Sequence, residues 1–468
     1  MLTIGYDEAV TALSTEFADC ADFTLRQMQA GKHRLALACF KGMSERGALG
    51  ELVLRPLLTV LRKDTFDGNY GEILRCGSLQ TPEDLPEIFD ALLRGDVFLA
   101  VEVEESVHFC LANVQAGLSR SVEEPNSDVT VRGPRLGFLE DAEKNMTLLR
   151  QFLRTGQLKF ISLTVGSISR TRITLAYLEG RADKTLVDNL SRRIASLRAE
   201  AVMDSGNLEM LLQGRHSPLF PMMGSTEKVD KAASKLLAGR VGVIVDGSPF
   251  VLTVPYVLAE SIQSAEDYLR TPYYATAIRC LRFYSLLLSL FLPAIVVAIG
   301  DYHPSLMPGG LGEQLIEGRK DLPLNLFWEC VACLAVFELV REVGVRMPRT
   351  VGDAVGIVAS IILGDAAVGA GLASSLVIMT VALSAVCAFI VPAYMYATVL
   401  LRFLFLFAAE LFGFPGIALG IILLVALTSQ MDSFGAPYLS PLSPMHLRGL
   451  EDFLLAIPKK TLGRREEL

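Results

Sequence analysis

Polar residues punctuate the chain regularly as far as about residue 282 and then thin out, so that beyond Arg282 the apolar runs become long enough to cross a bilayer. Before that point, short alternating or continuous apolar runs are separated by segments with leucine or alanine at helical spacing. The pattern predicts an α/β soluble region of two related lobes followed by an α-helical polytopic membrane domain.

The soluble half repeats itself. RLALACFKGMSERGALGELVLRPLL, from Arg34, is echoed by RITLAYLEGRADKTLVDNLSRRIASL, from Arg172; each gives a strand, a glycine, a polar helix start and a leucine-spaced helix. TPEDLPEIFDALLRGDVFLAVEV, from Thr81, is echoed by STEKVDKAASKLLAGRVGVIVDG, from Ser225. In both, a capped helix ends near Gly95 or Gly239 and leads into a buried strand. The order strand, helix, helix, strand occurs twice. The expected division is an N-terminal lobe over 1–130, a turn and helix joining the lobes over 131–157, and a second lobe with a hairpin over 158–265. A multi-span membrane domain over 266–440 and a tail over 441–468 follow.

Between the lobes lies RGPRLGFLED, residues 132–141. Pro134 fixes its own φ and biases Gly133 away from helix, and Gly137 permits backbone that other residues resist. Leu148, Leu149, Phe152 and Leu153 predict an amphipathic helix after it. Arg132 and Arg135 have two readings, a clamp for a carboxylate or phosphate and a pairing with helix ends. Because Arg135 stands at the joint, Arg135→Ala is expected to disturb assembly or transfer between lobes. In the second lobe the alternation of VGVIVDGSPFVLTVP around Asp246-Gly247, with Ser248 and Pro249 following, signals a hairpin.

Five apolar segments make up the rest. The first contains Pro293 mid-span, which frees a backbone carbonyl; the second is shorter and carries Glu329 and Glu338; the third is VGDAVGIVASIILGDAAVGAG. The fourth runs SLVIMTVALSAVCAFIVPAYMYATVLL, and the fifth extends from Phe403 to about Thr428, interrupted by Glu410, Gly413 and Pro415. Arg270, Arg279 and Arg282 before the first segment place the N-terminal half in the cytoplasm. The basic tail, with Lys459, Lys460, Arg464 and Arg465, demands an even number of crossings. Four result if the Glu-bearing segment re-enters, six if the last stretch is a helical hairpin. In the third segment Gly352, Gly356, Ser360 and Gly364 recur every four residues as a small-residue seam, followed by Asp365. The seam is either plain packing, with Asp365 a cap, or the border of an ion path that includes Ile361.

Composition narrows the possibilities. A chain of 468 residues exceeds one hydrophobic core, and its 51% apolar content is concentrated in the second half. With 43 Lys and Arg against 51 Asp and Glu, a net charge of −8 argues against a nucleic-acid partner. MLTIGYDEAV lacks the pattern of a secretory signal, so the soluble part is expected to stay on the synthesis side. Eight scattered cysteines imply no disulfide framework, and Cys330 and Cys333 lie in an apolar helix without a preceding strand. MPGGLGEQ, from Met307, lacks the Lys-Ser/Thr of a phosphate loop, and no catalytic, cofactor or metal site is expected.

Taken in order, RGPRLGFLED with KNMTLLRQFLR, STEKVDKAASKLLAGRVGVIVDGSPFVL, SAEDYL, RCLRFYSLLLSLFLPA with IGDYHPSLMP, and FELVREVGVRMPRTVGDAVGIVASIILGDAAVGAG resemble the A subunits of spore germinant receptors, the GerA-type spore germination proteins. The resemblance runs along nearly the whole chain. It implies a non-catalytic, multi-pass subunit in the inner membrane of a bacterial spore, its soluble half facing the spore core. It also implies a transporter-like B subunit and a lipoprotein C subunit as partners, and a homo-oligomer of A subunits acting as a nutrient-gated cation channel. Residues carried over are Arg132, Gly133, Pro134, Arg135, Gly137 and Phe138; Asp246, Gly247, Ser248 and Pro249; Glu266 and Asp267; and Arg341, Glu342, Gly344, Arg346 and Pro348. Leu136 and Leu334 depart from the glutamates usual in the family, and LPLN near residue 323 departs from Pro-Phe-Pro. The family also contains accessory members encoded with dipicolinic-acid channel genes; a regulated solute transporter is the more distant alternative.

Overall fold

The computed structural model describes residues 4–104, 106–115, 134–213, 219–264, 267, 270–306, 322–347, 364–443 and 453–455. The chain divides into two compact units between Pro255 and Tyr256, with Pro218–Met222 belonging to the second.

The first unit contains the same sheet twice. Its first lobe runs α1 (Tyr6–Glu16), β1 (Phe23–Ala30), β2 (His33–Phe40), α2 (Arg46–Ala48), a π turn (Leu49–Leu54) into α3 (Arg55–Arg62), β3 (Leu79–Gln80), α4 (Leu85–Arg94), β4 (Val97–Val103) and β5 (Ser106–Ala112). The second runs α5 (Ala142–Phe152), β6 (Leu158–Val165), β7 (Thr171–Leu178), α6 (Lys184–Ala195), α7 (Ser205–Gln213), β8 (Gly224–Thr226), α8 (Val229–Leu237), β9 (Val241–Val245) and β10 (Val251–Val254). The strand orders are β1-β2-β4-β5-β3 and β6-β7-β9-β10-β8, one topology used twice. Every strand pairing described within the two sheets is antiparallel, which refines the α/β expectation to α+β in the strict sense.

Both faces of the first sheet are covered, which is why β2 and β4 read as continuous apolar runs. Alternate residues Ala36, Ala38, Phe40, Phe98 and Ala100 pack with α1 and α4. Leu35, Leu37, Leu99 and Val101 point the other way, toward Leu57 and Leu61 of α3. The helices before β4 and β9 end as their glycines predict, with Gly95 at φ 101° and Gly239 at φ 89°. The helix assigned by sequence to the joint is more than a connector. Ala142, Met146 and Leu149 of α5 pack with Phe160, Ala176 and Leu236 in the core of the second lobe, where α5 occupies the place that α1 has in the first.

The second unit is helical: α9 (Leu258–Ile262), α10 (Pro272–Tyr302), α11 (Leu326–Arg346), α12 (Ser375–Phe389), α13 (Met395–Phe412) and α14 (Phe414–Ser429), then a small hairpin of β11 (Asp432–Ser433) and β12 (Ala436–Pro437). Its core gathers Ala294 and Val297 of α10, Cys330 and Leu334 of α11, Val377 and Val381 of α12, and Phe405 and Ala409 of α13. Leu334, where the family resemblance leads one to expect glutamate, is fully buried there.

One apolar segment divides differently from the sequence expectation, and another breaks at an interruption that the sequence marks. The fourth is interrupted after Phe389 by a 3-10 turn that opens at Pro392, so its second half forms the start of α13. The fifth breaks at Gly413, whose φ of 61° and ψ of −140° suit glycine alone. The α13–α14 contact is close because it runs through glycines: a Cβ on Gly416 would lie 2.1 Å from the Ala408 carbonyl oxygen, and one on Gly420 would lie 2.5 Å from the Phe405 ring.

Candidate functional site

The turn between the lobes is built into the second lobe by backbone bonds. Gly137 forms an antiparallel bridge with Lys228. Phe138 N–H donates to the Glu227 carbonyl at 2.7 Å, and Val229 N–H donates to the Leu136 carbonyl at 3.4 Å. The Phe138 ring is buried in the lobe core, while Pro134 and Arg135 stay exposed. Arg132 and Gly133 lie outside the described residues. Asn145, fully buried, accepts from Leu139 N–H at 2.8 Å and donates back to the Leu139 carbonyl, closing the turn onto the first helical turn of α5.

The structure brings the turn and the Asp246-Gly247 hairpin together. Gly247 N–H donates to the Glu140 carbonyl at 2.7 Å, and the Asp246 carboxylate accepts from Ala142 N–H at 3.1 Å. Asp141 accepts from the N–H groups of Glu143 and Lys144, so two carboxylates satisfy the opening N–H groups of α5. Ser248, also buried, donates to the Ser205 hydroxyl at 3.0 Å and so ties the hairpin to α7. Pro249 is half-buried beside it.

At the far end of α5 is a residue that the sequence reading passed over. Arg150 is fully buried and grips Asp22 of the first lobe, with Nε 2.6 Å from Oδ2 and Nη2 3.0 Å from Oδ1. Its remaining donors reach the carbonyls of Thr155 at 3.2 Å and Leu158 at 3.0 Å. The guanidinium lies 4.3 Å from the ring centre of Phe40 in one lobe and 5.1 Å from that of Phe160 in the other. Backbone bonds between Ala21 and Phe160 and between Phe160 and Asp19 extend the contact. Glu143 adds a bridge, to Arg46 at 2.6 Å and to Arg172 at 3.1 Å. This geometry fixes one lobe against the other.

A polar hollow of about 270 Å³ opens at the β3–β5 edge of the first lobe, lined by Gln80, Arg94, Asp96, Asn113 and Gln115 among others. Burial pushes the Asp96 carboxyl above the usual carboxylate range, against the opposing hydrogen bonds from Gln115 and Asn113 and the nearby Arg94. The Cys110 thiol is pushed up to about 12 by burial, which keeps it protonated and unreactive.

In the helical unit, Gly352, Gly356, Ser360, Ile361, Pro348 and Glu266 lie outside the described residues. Gly364 and Asp365 open a short helical turn in which Asp365 is exposed. Asp267 is buried and pairs with Arg279 at 3.1 Å and Arg282 at 2.8 Å, so two of the arginines used to orient the first span share a carboxylate. Arg346 pairs with Glu342 at 2.8 Å along an exposed face of α11, which also carries Gly344. Glu329 accepts from Ser374 N–H, linking α11 to the start of α12.

A second buried arginine organises this unit. Pro293 has no N–H for the carbonyl of Ser289, four residues earlier on α10. That carbonyl accepts instead from Arg402 Nε at 2.9 Å and from the Ser384 hydroxyl at 2.9 Å. Arg402, on α13, also reaches the Ser384 carbonyl at 3.4 Å and faces Glu338 of α11 at 3.9 Å. Arg341 holds the other oxygen of Glu338 at 2.7 Å. Among the described residues no three His, Cys, Asp or Glu side chains are gathered as for a metal ion.

The family model described as Bacillus/Clostridium GerA spore germination protein matches residues 11–468. Spore germination protein KA of Bacillus subtilis (strain 168) is 32% identical over 451 residues, covering 95% of this chain and 82% of the relative. Spore germination protein GerLA of Bacillus cereus is 30% identical over 470 residues, covering 98% and 94%. The crystal structure of the N-terminal domain of the A subunit of the Bacillus megaterium spore germinant receptor GerK3 is matched over 53% of this chain and 93% of that one, at 22% identity and a TM-score of 0.41.

Asp246→Ala removes the acceptor of Ala142 N–H and is expected to lower the unfolding free energy of the first unit by about 1 kcal/mol, read from denaturant midpoints. For Asp96 the folded-state pKa lies above the unfolded one. Its contribution therefore declines as pH rises from the ordinary carboxylate value through the raised one. Asp96→Asn is accordingly expected to match wild type in acid and to exceed its melting temperature at neutral pH.

Proposed function

The chain belongs to the GerA family of spore germination proteins, and we propose that it serves as the A subunit of a spore germinant receptor. In this reading it acts with a transporter-like B subunit and a lipoprotein C subunit, and nutrient recognition by the complex triggers germination. The helical unit crosses the inner spore membrane several times, the soluble half faces the spore core, and A subunits assemble into an oligomeric cation channel. No catalytic step is assigned to it.

The observation that carries the reading is the continuity of the family match across both units, from residue 11 to residue 468. Membrane residence is supported by two helices long and apolar enough to cross, Pro272–Tyr302 and Pro392–Phe412. Their surroundings support it too: Leu400, Leu404, Phe407 and Leu411 of α13 and Met379, Leu383 and Val386 of α12 are exposed, while Arg402, Ser289 and Ser384 are buried. Apolar side chains outward and charge inward is the arrangement that a hydrocarbon solvent favours. A multi-helix bundle with an internal charged cluster is compatible with gating.

Spores lacking this gene, exposed in turn to amino acids and sugars, are expected to lose potassium release for one nutrient class and to regain it with the wild-type copy. Unchanged onset for every nutrient, with slower release of dipicolinic acid, would contradict the receptor role and favour an accessory one.

A further inference from the structure

We propose that Arg402 is a two-position switch in the helical unit, now docked on the carbonyl freed by Pro293 and able to exchange that acceptor for a close ion pair with Glu338. This goes beyond the receptor reading, since it concerns how the bundle rearranges and not what the receptor senses.

Three observations carry it. The freed Ser289 carbonyl has two donors, Arg402 Nε and the Ser384 hydroxyl, both at 2.9 Å. If Arg402 leaves, Ser384 still satisfies the carbonyl, so no buried acceptor is orphaned. Glu338 stands 3.9 Å from Arg402 Nη1, at the outer limit of an ion pair, whereas a full charge-assisted bond would close to about 2.8 Å. The exchange thus offers a closer ion pair in a setting with little water, where charge pairs are strong. Each position leaves the Ser289 carbonyl bonded and Arg402 facing a strong acceptor, which is the requirement for a bistable element. Because Ser289 is on α10, Ser384 on α12, Arg402 on α13 and Glu338 on α11, the exchange draws α11 inward by about 1 Å and relaxes α10 at its proline.

Three mild substitutions push the balance in predictable directions. Glu338→Gln weakens the new pair, and Ser384→Ala removes the substitute donor; both retain Arg402 on Ser289. Pro293→Ala restores an N–H that competes for the Ser289 carbonyl and so releases Arg402 toward Glu338. The chain has a single tryptophan, Trp328 on α11, ten residues or about 15 Å along the helix from Glu338. Labelled as 5-fluorotryptophan in the full-length protein in lipid nanodiscs, it gives one fluorine resonance whose position or splitting reports where α11 sits. The expected result is that Glu338→Gln and Ser384→Ala move the population ratio one way and Pro293→Ala the other. Each changes it about five-fold, the equivalent of about 1 kcal/mol. A resonance unmoved by all three, or moved in the same direction by Pro293→Ala and Glu338→Gln, would overturn the switch. The measurement needs neither nutrient nor spore, so its failure is distinct from failure of the receptor role.

Discussion

The two-lobed unit depends on one buried ion pair. Arg150 and Asp22 are both nearly inaccessible to solvent, and each would be costly to bury alone. The cost is met by geometry: a two-pronged contact to the carboxylate, two backbone carbonyls and two aromatic faces engage nearly every surface of the guanidinium. Because Asp22 and Phe40 come from the first lobe and Phe160 from the second, the pair can exist only when both lobes are folded and docked. Two copies of one sheet topology thereby become a single body. The turn and hairpin at the other end of α5 hold the helix so that Arg150 arrives at the right place.

The helical unit answers the same problem by the same means. Arg402 is almost fully buried, where an unsatisfied guanidinium would be costly, and it too is placed on backbone carbonyls, one of them vacated by a proline. The difference lies in the counter-ion. Asp22 is gripped at both oxygens, whereas Glu338 is held by Arg341 and only approached by Arg402. The first arrangement is suited to rigidity and the second to exchange, matching a stiff two-lobed body and a helical unit whose proposed role requires movement.

Much of this was legible in the sequence because it rests on local signals. The paired repeats fall on β2 with β7 and on α4–β4 with α8–β9, and Gly95 and Gly239 end their helices as positive-φ glycines. Pro293 announced a free carbonyl, although not its takers. The antiparallel edge strands β3 and β8 were hidden because two or three residues carry no periodicity. Arg150 was hidden because an arginine near the end of an amphipathic helix usually faces water, and its partner lies 128 residues away. Arg402 had a signal, a lone charge in the run YATVLLRFLFLF. The break at Pro392 moved the boundary of the fourth segment because backbone geometry overrode continuous apolarity, whereas the break at Gly413 falls at an interruption that the sequence marks.

The most direct test of the account is amide hydrogen exchange on full-length wild-type and Asp22→Ala protein in lipid nanodiscs, followed at the central strands β2 and β7. Breaking a buried pair of this kind is worth about 3–5 kcal/mol, and the account predicts that both strands lose protection together and by the same factor. Loss confined to β2, with β7 as protected as in wild type, would show two independently stable lobes and contradict it.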